Sequence, residues 1–372
     1  MSSPYQDVDD LVRKSFTVTD KFILPDGEEE YEIAYGPETK GSFERLCSEL
    51  DPRGLVPWLR GTKDECVLTI RKKAEPVRSK SRIPLILLLL TVAAVVAASL
   101  LEWSEVSSLA PASAGILVAA EYGTCVAAIL VLREAGHRYA ARRLKARPSS
   151  SVLLPGIPGV TAVLPSLGFL SFQRAPMLNR DRYFDLMVVG PLTMLLAAVV
   201  LEACRGLTSY VSSVQLTSCQ AVNSVVSVCP INPSVLQAAE DWLGGLLPHA
   251  SSQGSLVLSP VGDAAAVGFL LAFVSIMPMA SFDGGHLAST VWGTRGARAA
   301  TYLCVLLLIV FDTPFYWGIA IVVLLLAGRP FQVQLLDEVS GLSKNKRLIY
   351  LLMIALALMC VPVPQNLATL PL

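Results

Sequence analysis

Glu134 and His137 stand three residues apart in "LVLREAGHRYAARRL", residues 130–144, a spacing that puts a carboxylate and an imidazole on one face of a helix. A helix of the pattern H-E-x-x-H uses such a face to bind zinc. Two His one turn apart hold the ion, the Glu between them takes a proton from the zinc-bound water, and a third protein ligand from elsewhere leaves the fourth position open. Here the position of the first His is Arg133. A guanidinium stays protonated, has no lone pair to donate and sets its charge against a metal ion, so Arg133 cannot be a ligand. A second stretch, "SIMPMASFDGGHL" at residues 275–287, supplies Asp283 and His286. Residues 130–144 are therefore a metal site with an unusual ligand set, a metal site that has been closed, or a helix holding Glu134 and His137 by chance. The chance reading needs the distant Asp-Gly-Gly-His to be accidental as well, and is set aside.

The elements that position these residues are membrane elements. Of 372 residues 53% are hydrophobic and 16% charged, with a mean hydropathy of +0.55, which marks an integral membrane protein. The 30 basic and 30 acidic residues cancel, but they crowd into residues 1–82 and a few short loops, so net charge says little about partners. Apolar runs of spanning or near-spanning length cover 83–101, 113–132, 184–204, 262–280, 299–311, 314–328 and 347–363, which reads as seven spans, the fifth one short.

Lys and Arg orient those spans. They precede the first (Arg71, Lys72, Lys73, Arg78, Lys80, Arg82), follow the second (Arg138, Arg142, Arg143, Lys145, Arg147) and precede the third (Arg174, Arg180, Arg182). They recur at Arg295 and Arg298 and at Arg329, Lys344, Lys346 and Arg347, whereas 102–112 and 205–261 hold only Arg205. The alternation places the amino terminus in the cytoplasm and the carboxyl terminus outside. The basic clusters are this topology signal, and no nucleic-acid partner is expected.

Around the spans, residues 1–75 read as a small soluble α+β domain, with strands in "FTVTDKFILP", "EEYEIAY" and "ECVLTIRKK" and a helix in "GSFERLCSELDPRG". Polar residues follow Met1 and the first apolar run starts at Ile83, so no signal peptide is read. A basic linker at 76–82 joins this domain to the transmembrane part at 83–363, and 364–372 form a tail. Residues 148–183 are apolar but broken by Pro155, Pro158, Pro165, Gly156, Gly159 and Gly168, which excludes one continuous helix and points to a re-entrant β-like hairpin. Its strand edge could pair with an extended chain. In the outside loop, Cys219 and Cys229 are either a disulfide or two free thiols.

Topology ties the two chemical stretches together. The second and fourth spans both run inward, so Arg133 to His137 and Asp283 arrive at the cytoplasmic side of the bilayer, Asp283 at the inner end of the fourth span. Ionisable groups at that depth are costly and face a partner or a cavity. Glu121 lies about 18 Å along the helix toward the other leaflet, either a functional intramembrane acid or a neutral carboxyl packed in the bundle.

Taken in order, "REAGHRYAARR", "APMLNRDRYFDLMVVGPL" and "SIMPMASFDGGHL" resemble the site-2 protease family, in particular its archaeal and plastid-type branch. The resemblance reaches from the N-terminal domain to "LDEVSGLSKNKRLIYLLMIALALMCVPVP". That family consists of intramembrane zinc metalloproteases that cut transmembrane segments. The resemblance implies a general-base position at Glu134, a zinc-ligand position at His137, a third ligand position at Asp283, and a Gly-Pro element at Gly190 and Pro191. It implies zinc as cofactor and transmembrane segments of membrane proteins, within the lipid bilayer, as partners.

Two positions depart from the pattern. Arg133 replaces the first ligand His, and Ser275 stands where an Asn usually opens the second motif. His137 and Asp283 alone make a weak zinc site. His286 could swing in as a substitute, although the family often carries such a residue there without using it, and Cys125 is about 12 Å of helix away, too far. The expectation is therefore a charge-assisted pair between Arg133 and Asp283 or Glu134 in the vacated metal position. Its consequence is a pseudoprotease that binds transmembrane segments and protects, retains or presents them. An active metalloprotease with a non-standard ligand set is the first alternative. A transporter using Glu121 is the other, although no inverted pair of broken apolar segments is visible.

Overall fold

The computed structural model describes residues 6–24, 28–73, 82–107, 112–146, 150–156, 164–173, 175–204, 210–212, 220–221, 227–228, 256–310, 314–327 and 333–360. Cys219 and Cys229, linker residues 76–81 and the tail 364–372 lie outside them.

The N-terminal part is a four-stranded antiparallel sheet with two helices. In chain order it runs α1 (Gln6–Ser15), β1 (Val18–Ile23), β2 (Glu29–Ile33), α2 (Thr39–Leu50), β3 (Leu55–Gly61) and β4 (Cys66–Lys72), and the sheet order is β1-β2-β4-β3. Val8 and Val12 on α1 and Phe43, Leu46 and Leu50 on α2 recur at helical spacing. They close over Tyr31, Ile33, Leu59, Leu68 and Ile70 of the sheet. Gly54 adopts φ 71, a left-handed turn that ends the helical stretch and reverses the chain into β3.

Helix α1 and strand β3 are additions to the sequence reading. β3 was hidden by Pro57, which cannot donate to a ladder. Leu59, two residues on, donates to Leu336 O at 2.7 Å rather than to β4, so Pro57 points its missing donor the same way and costs no bond to β4.

Beyond β3 the backbone bonding continues into the membrane part. Glu338 N donates to Leu59 O at 3.0 Å, and on the other side Leu336 N donates to Met177 O at 2.7 Å and Asp337 N to Leu178 O at 3.0 Å. Residues 334–338 thus link the N-terminal sheet to residues 177–178 by isolated β-bridges, Leu59 with Asp337 and Met177 with Leu335. Side chains reinforce the seam: Asn179 Nδ2 donates to Glu44 at 2.7 Å, and Lys40 pairs with Asp181.

The membrane part comprises α3 (Ile83–Ser107), α4 (Ala112–Arg143), the hairpin β5 (Ser150–Pro155) and β6 (Ser166–Phe172), and α5 (Arg180–Cys204). Further along the chain follow α6 (Pro260–Ile276), α7 (Asp283–Val310), α8 (Pro314–Ala327) and α9 (Lys344–Met359). Among the described residues, three helices are long and apolar enough to cross a membrane, over Ile83–Trp103, Gly115–Arg143 and Arg180–Cys204. Leu89, Val96, Ile116, Val131, Leu196 and Val200 on these helices face outward, which suits contact with lipid.

Helix α6 is too short to be counted with those three, but it is apolar all round and buried along its length, the pattern of a central helix. Ser259 caps it by accepting from Gly262 N at 3.1 Å, with Pro260 in the first turn. It stops at Ile276, two residues before Pro278, and a turn through Ser281 (φ 69) leads into α7. Asp283 therefore begins the following helix instead of closing the fourth span. Helix α7 is itself broken at Gly293 (φ 73), and its second segment corresponds to the expected span at 299–311.

The hairpin occupies less of the chain than the 148–183 expected, because α5 already starts at Arg180. β6 has partners on both edges: β5 on one, and on the other Ser281 O, which accepts from Ser171 N at 3.0 Å.

Close packing of α6 gives the first test. A Cβ built on Gly268 would stand 2.8 Å from both Ala198 Cβ and Ile129 Cδ1. Gly268→Val is expected to lower stability by about 1–3 kcal/mol. Gly36→Ala, with nothing within 4 Å, is expected to stay within about 0.5 kcal/mol of the parent. Unfolding in mixed micelles measures both.

Candidate functional site

Arg133 is the largest fully buried side chain of the protein's described residues, and Asp283 is buried as completely. Nη2 of Arg133 forms an ion pair with Asp283 Oδ2. The same nitrogen donates to Ser171 Oγ at 3.4 Å, while Nη1 donates to Ser151 Oγ at 3.2 Å and Glu134 Oε2 at 3.3 Å. Asp283 Oδ1 accepts from Ser171 Oγ at 2.5 Å. The guanidinium carbon lies 4.0 Å from the centroid of the Phe169 ring, a cation–π contact that replaces hydration on one face.

Each partner arrives from a different element for a local reason. Ser151 and Ser171 are directly opposed across the hairpin, so the pleat turns both hydroxyls to one side. Phe169 precedes Ser171 by the two-residue strand period and shares that side. Asp283 opens α7, and the turn before it brings Ser281 O to Ser171 N. Gly190 on α5 makes room: a Cβ there would come 3.1 Å from Arg133 Nε and 3.4 Å from Asp283 Oδ2. Pro191 next to it removes a donor from the helix ladder, and Thr193 Oγ1 turns back onto the carbonyls of Val189 at 3.0 Å and Gly190 at 2.8 Å. Helices α4 and α5 approach closely here, since Thr193 stands 2.7 Å from where a Cβ of Gly136 would be.

Glu134 is held between two arginines. Its Oε2 accepts from Arg133, and its Oε1 accepts from Arg138 Nε at 2.7 Å. Two positive and two negative charges thus balance in one cluster. His137, one turn along α4, is buried and feels Asp283, Arg133 and Glu134. His286 is committed elsewhere: Nε2 faces Ser171 O at 2.7 Å and Nδ1 faces Tyr183 Oη at 2.6 Å. A carbonyl can only accept, so Nε2 carries the proton and Nδ1 accepts from Tyr183. In that tautomer His286 positions the β6 backbone, with no lone pair left for a metal. Ser275 is buried on α6 with no hydrogen-bond partner at its Oγ, and makes no hydrogen bond to the cluster. Glu121, far along α4, has a buried Oε2 without a hydrogen-bond partner.

These residues do not fit a zinc ion. A guanidinium lies against Asp283, both carboxylate oxygens of Asp283 already have donors, and His286 is turned away. Among the described residues no group of three His, Cys, Asp or Glu could hold a metal. What the cluster does chemically is neutralise two carboxylates and fasten the hairpin to α4 and α7. Ser151, Ser171, Phe169 and Tyr183 were missed by sequence reasoning. The signal for the first two was the presence of Ser in mostly apolar strands, at positions whose pairing depends on register. Comparison of the chain with protein-family models, with curated proteins and with solved structures finds no match.

Removing one member of a buried ion pair leaves the other charge uncompensated, at a cost of about 3–5 kcal/mol. Arg133→Met is expected to lose that much stability in micelles. Arg133→Met combined with Asp283→Leu is expected to recover most of it; equal losses in the single and double variants would contradict the pairing.

Proposed function

We propose that this chain is a membrane protein of site-2-protease-like build whose metal position is closed by Arg133, and that it holds transmembrane segments of other membrane proteins without hydrolysing them. The observation that carries this reading is the fully buried pair of Arg133 with Asp283, beside Glu134 and His137 on α4. Hydrolysis by such a scaffold needs an ion to acidify water and polarise the scissile carbonyl. Here the positive charge comes from a side chain that cannot ligate water as a metal does, and Glu134 is tied to Arg133 and Arg138.

In this reading the seven apolar segments are spans, the N-terminal domain is cytoplasmic and the carboxyl terminus is outside. A bound segment extends its cytoplasmic end and adds to the hairpin. β6 is paired on both edges, so β5 offers the edge for addition. Arg133 supports that edge by fastening Ser151 on β5 and Ser171 on β6 to α4.

The test uses a single-span model substrate in liposomes with wild type, Glu134→Ala and Arg133→His. The expected result is that wild type and Glu134→Ala both capture the intact segment on photo-crosslinking and release no product. Arg133→His, which restores an imidazole, is expected to gain zinc-dependent cleavage. Glu134-dependent cleavage by the wild type would sink the proposal and favour an active metalloprotease.

A further inference from the structure

Asp337 lies in the segment between β3 and residues 177–178 and is completely buried, at 0% exposure. Its Oδ1 accepts from Val339 N at 3.1 Å and from Ser340 N at 2.8 Å. Its Oδ2 has no partner, and neither does the hydroxyl of Ser340, which is 2% exposed. Ser340 and Asp337 share one turn, closed by the bond from Ser340 N to Asp337 Oδ1.

No positive side chain answers this charge among the described residues. Arg60 faces the Glu338 carboxylate at 3.9 Å and Arg180 donates to Glu338 O at 3.4 Å. Lys40 is paired with Asp181, and Lys346 with Asp185 at 2.7 Å. The thiols that feel Asp337 are no substitute. Burial chiefly, and then the Asp337 charge, push Cys66 up to about 11, and the same causes raise Cys47, so both stay neutral. A buried carboxylate without a counter-charge costs several kcal/mol. Two unpartnered oxygens, one anionic and one a hydroxyl, at one buried place of the domain seam are what a small hard cation takes.

We propose that Asp337 Oδ2 and Ser340 Oγ are ligands of a buried monovalent cation, sodium or potassium, that fastens the N-terminal domain to the membrane domain. One carboxylate supplies one negative charge, which a monovalent ion cancels and a divalent ion over-compensates. An all-oxygen donor set excludes a preference for transition metals. The cation steadies the segment that joins β3 to residues 177–178, and so the start of α5, whose Gly190 lies against the Arg133 pair. The proposal stands on residues distinct from those of the proposed function, and either can fail alone.

The test takes the full chain in detergent at constant chloride, with N-methyl-D-glucamine replaced stepwise by sodium or by potassium. The thermal midpoint is expected to rise and saturate with one or both ions, and their order of effect identifies the ion. Ser340→Ala, which keeps the backbone turn, is expected to need about tenfold more cation. Asp337→Asn is expected to remove the dependence. If sodium is the ion, the ²³Na resonance broadens with wild type and sharpens on adding Asp337→Asn in its place. A wild-type midpoint that is the same in all three cations overturns the proposal, as does an equal cation dependence in Asp337→Asn. Should Asp337→Asn fail to fold, Ser340→Ala decides: an unchanged midpoint concentration overturns the assignment.

Discussion

A positive and a negative charge with no access to water, Arg133 and Asp283, set the conditions that the surrounding elements meet. Each ion loses several kcal/mol of hydration on burial, and the pair is tolerable only where geometry is good and the remaining donors and acceptors are occupied. Ser151 and Ser171 bond Nη1 and Nη2 from the hairpin, Phe169 covers one face of the guanidinium, and Gly190 leaves the space, while Arg133 Nε keeps no hydrogen-bond partner. The contact therefore requires α4, α5, α7 and both hairpin strands at one place. It joins elements up to 150 residues apart in the chain.

That requirement gives the hairpin its rigidity. An isolated two-stranded ribbon is marginal on its own. This one is held on one side by the backbone of Ser281 and Phe282 and from within by a buried arginine that bonds both strands. Helix α5 carries the connection outward, since its first turn meets Glu44 and Lys40 of the N-terminal domain and Lys346 of α9. In the proposed reading, the cost of giving up the metal is a lost nucleophile, and its return is a permanently organised strand edge.

How much was legible in the sequence follows from the range of the forces involved. Apolar runs of spanning length, the broken segment with Pro155 and Gly168, and the spacing of Phe43, Leu46 and Leu50 are local signals, and elements appear at all three places. Arg133 stood out because its residue type contradicts its motif. The pairing of Ser151 with Ser171 depends on strand register, which a chain read linearly does not reveal. Asp283 was assigned to the end of one helix and begins the next, because the break before it rests on Pro278 and a left-handed Ser281, not on a change in hydropathy. β3 was obscured by Pro57, whose missing donor matters only if it faces the ladder.

The most direct measurement is the zinc content of the wild-type protein, purified in detergent with zinc supplied throughout and freed of loosely held metal by gel filtration. The proposed closure predicts a zinc content near zero that does not change in Asp283→Ala. Stoichiometric zinc in the wild type, lost on replacing Asp283 or His137, would contradict it.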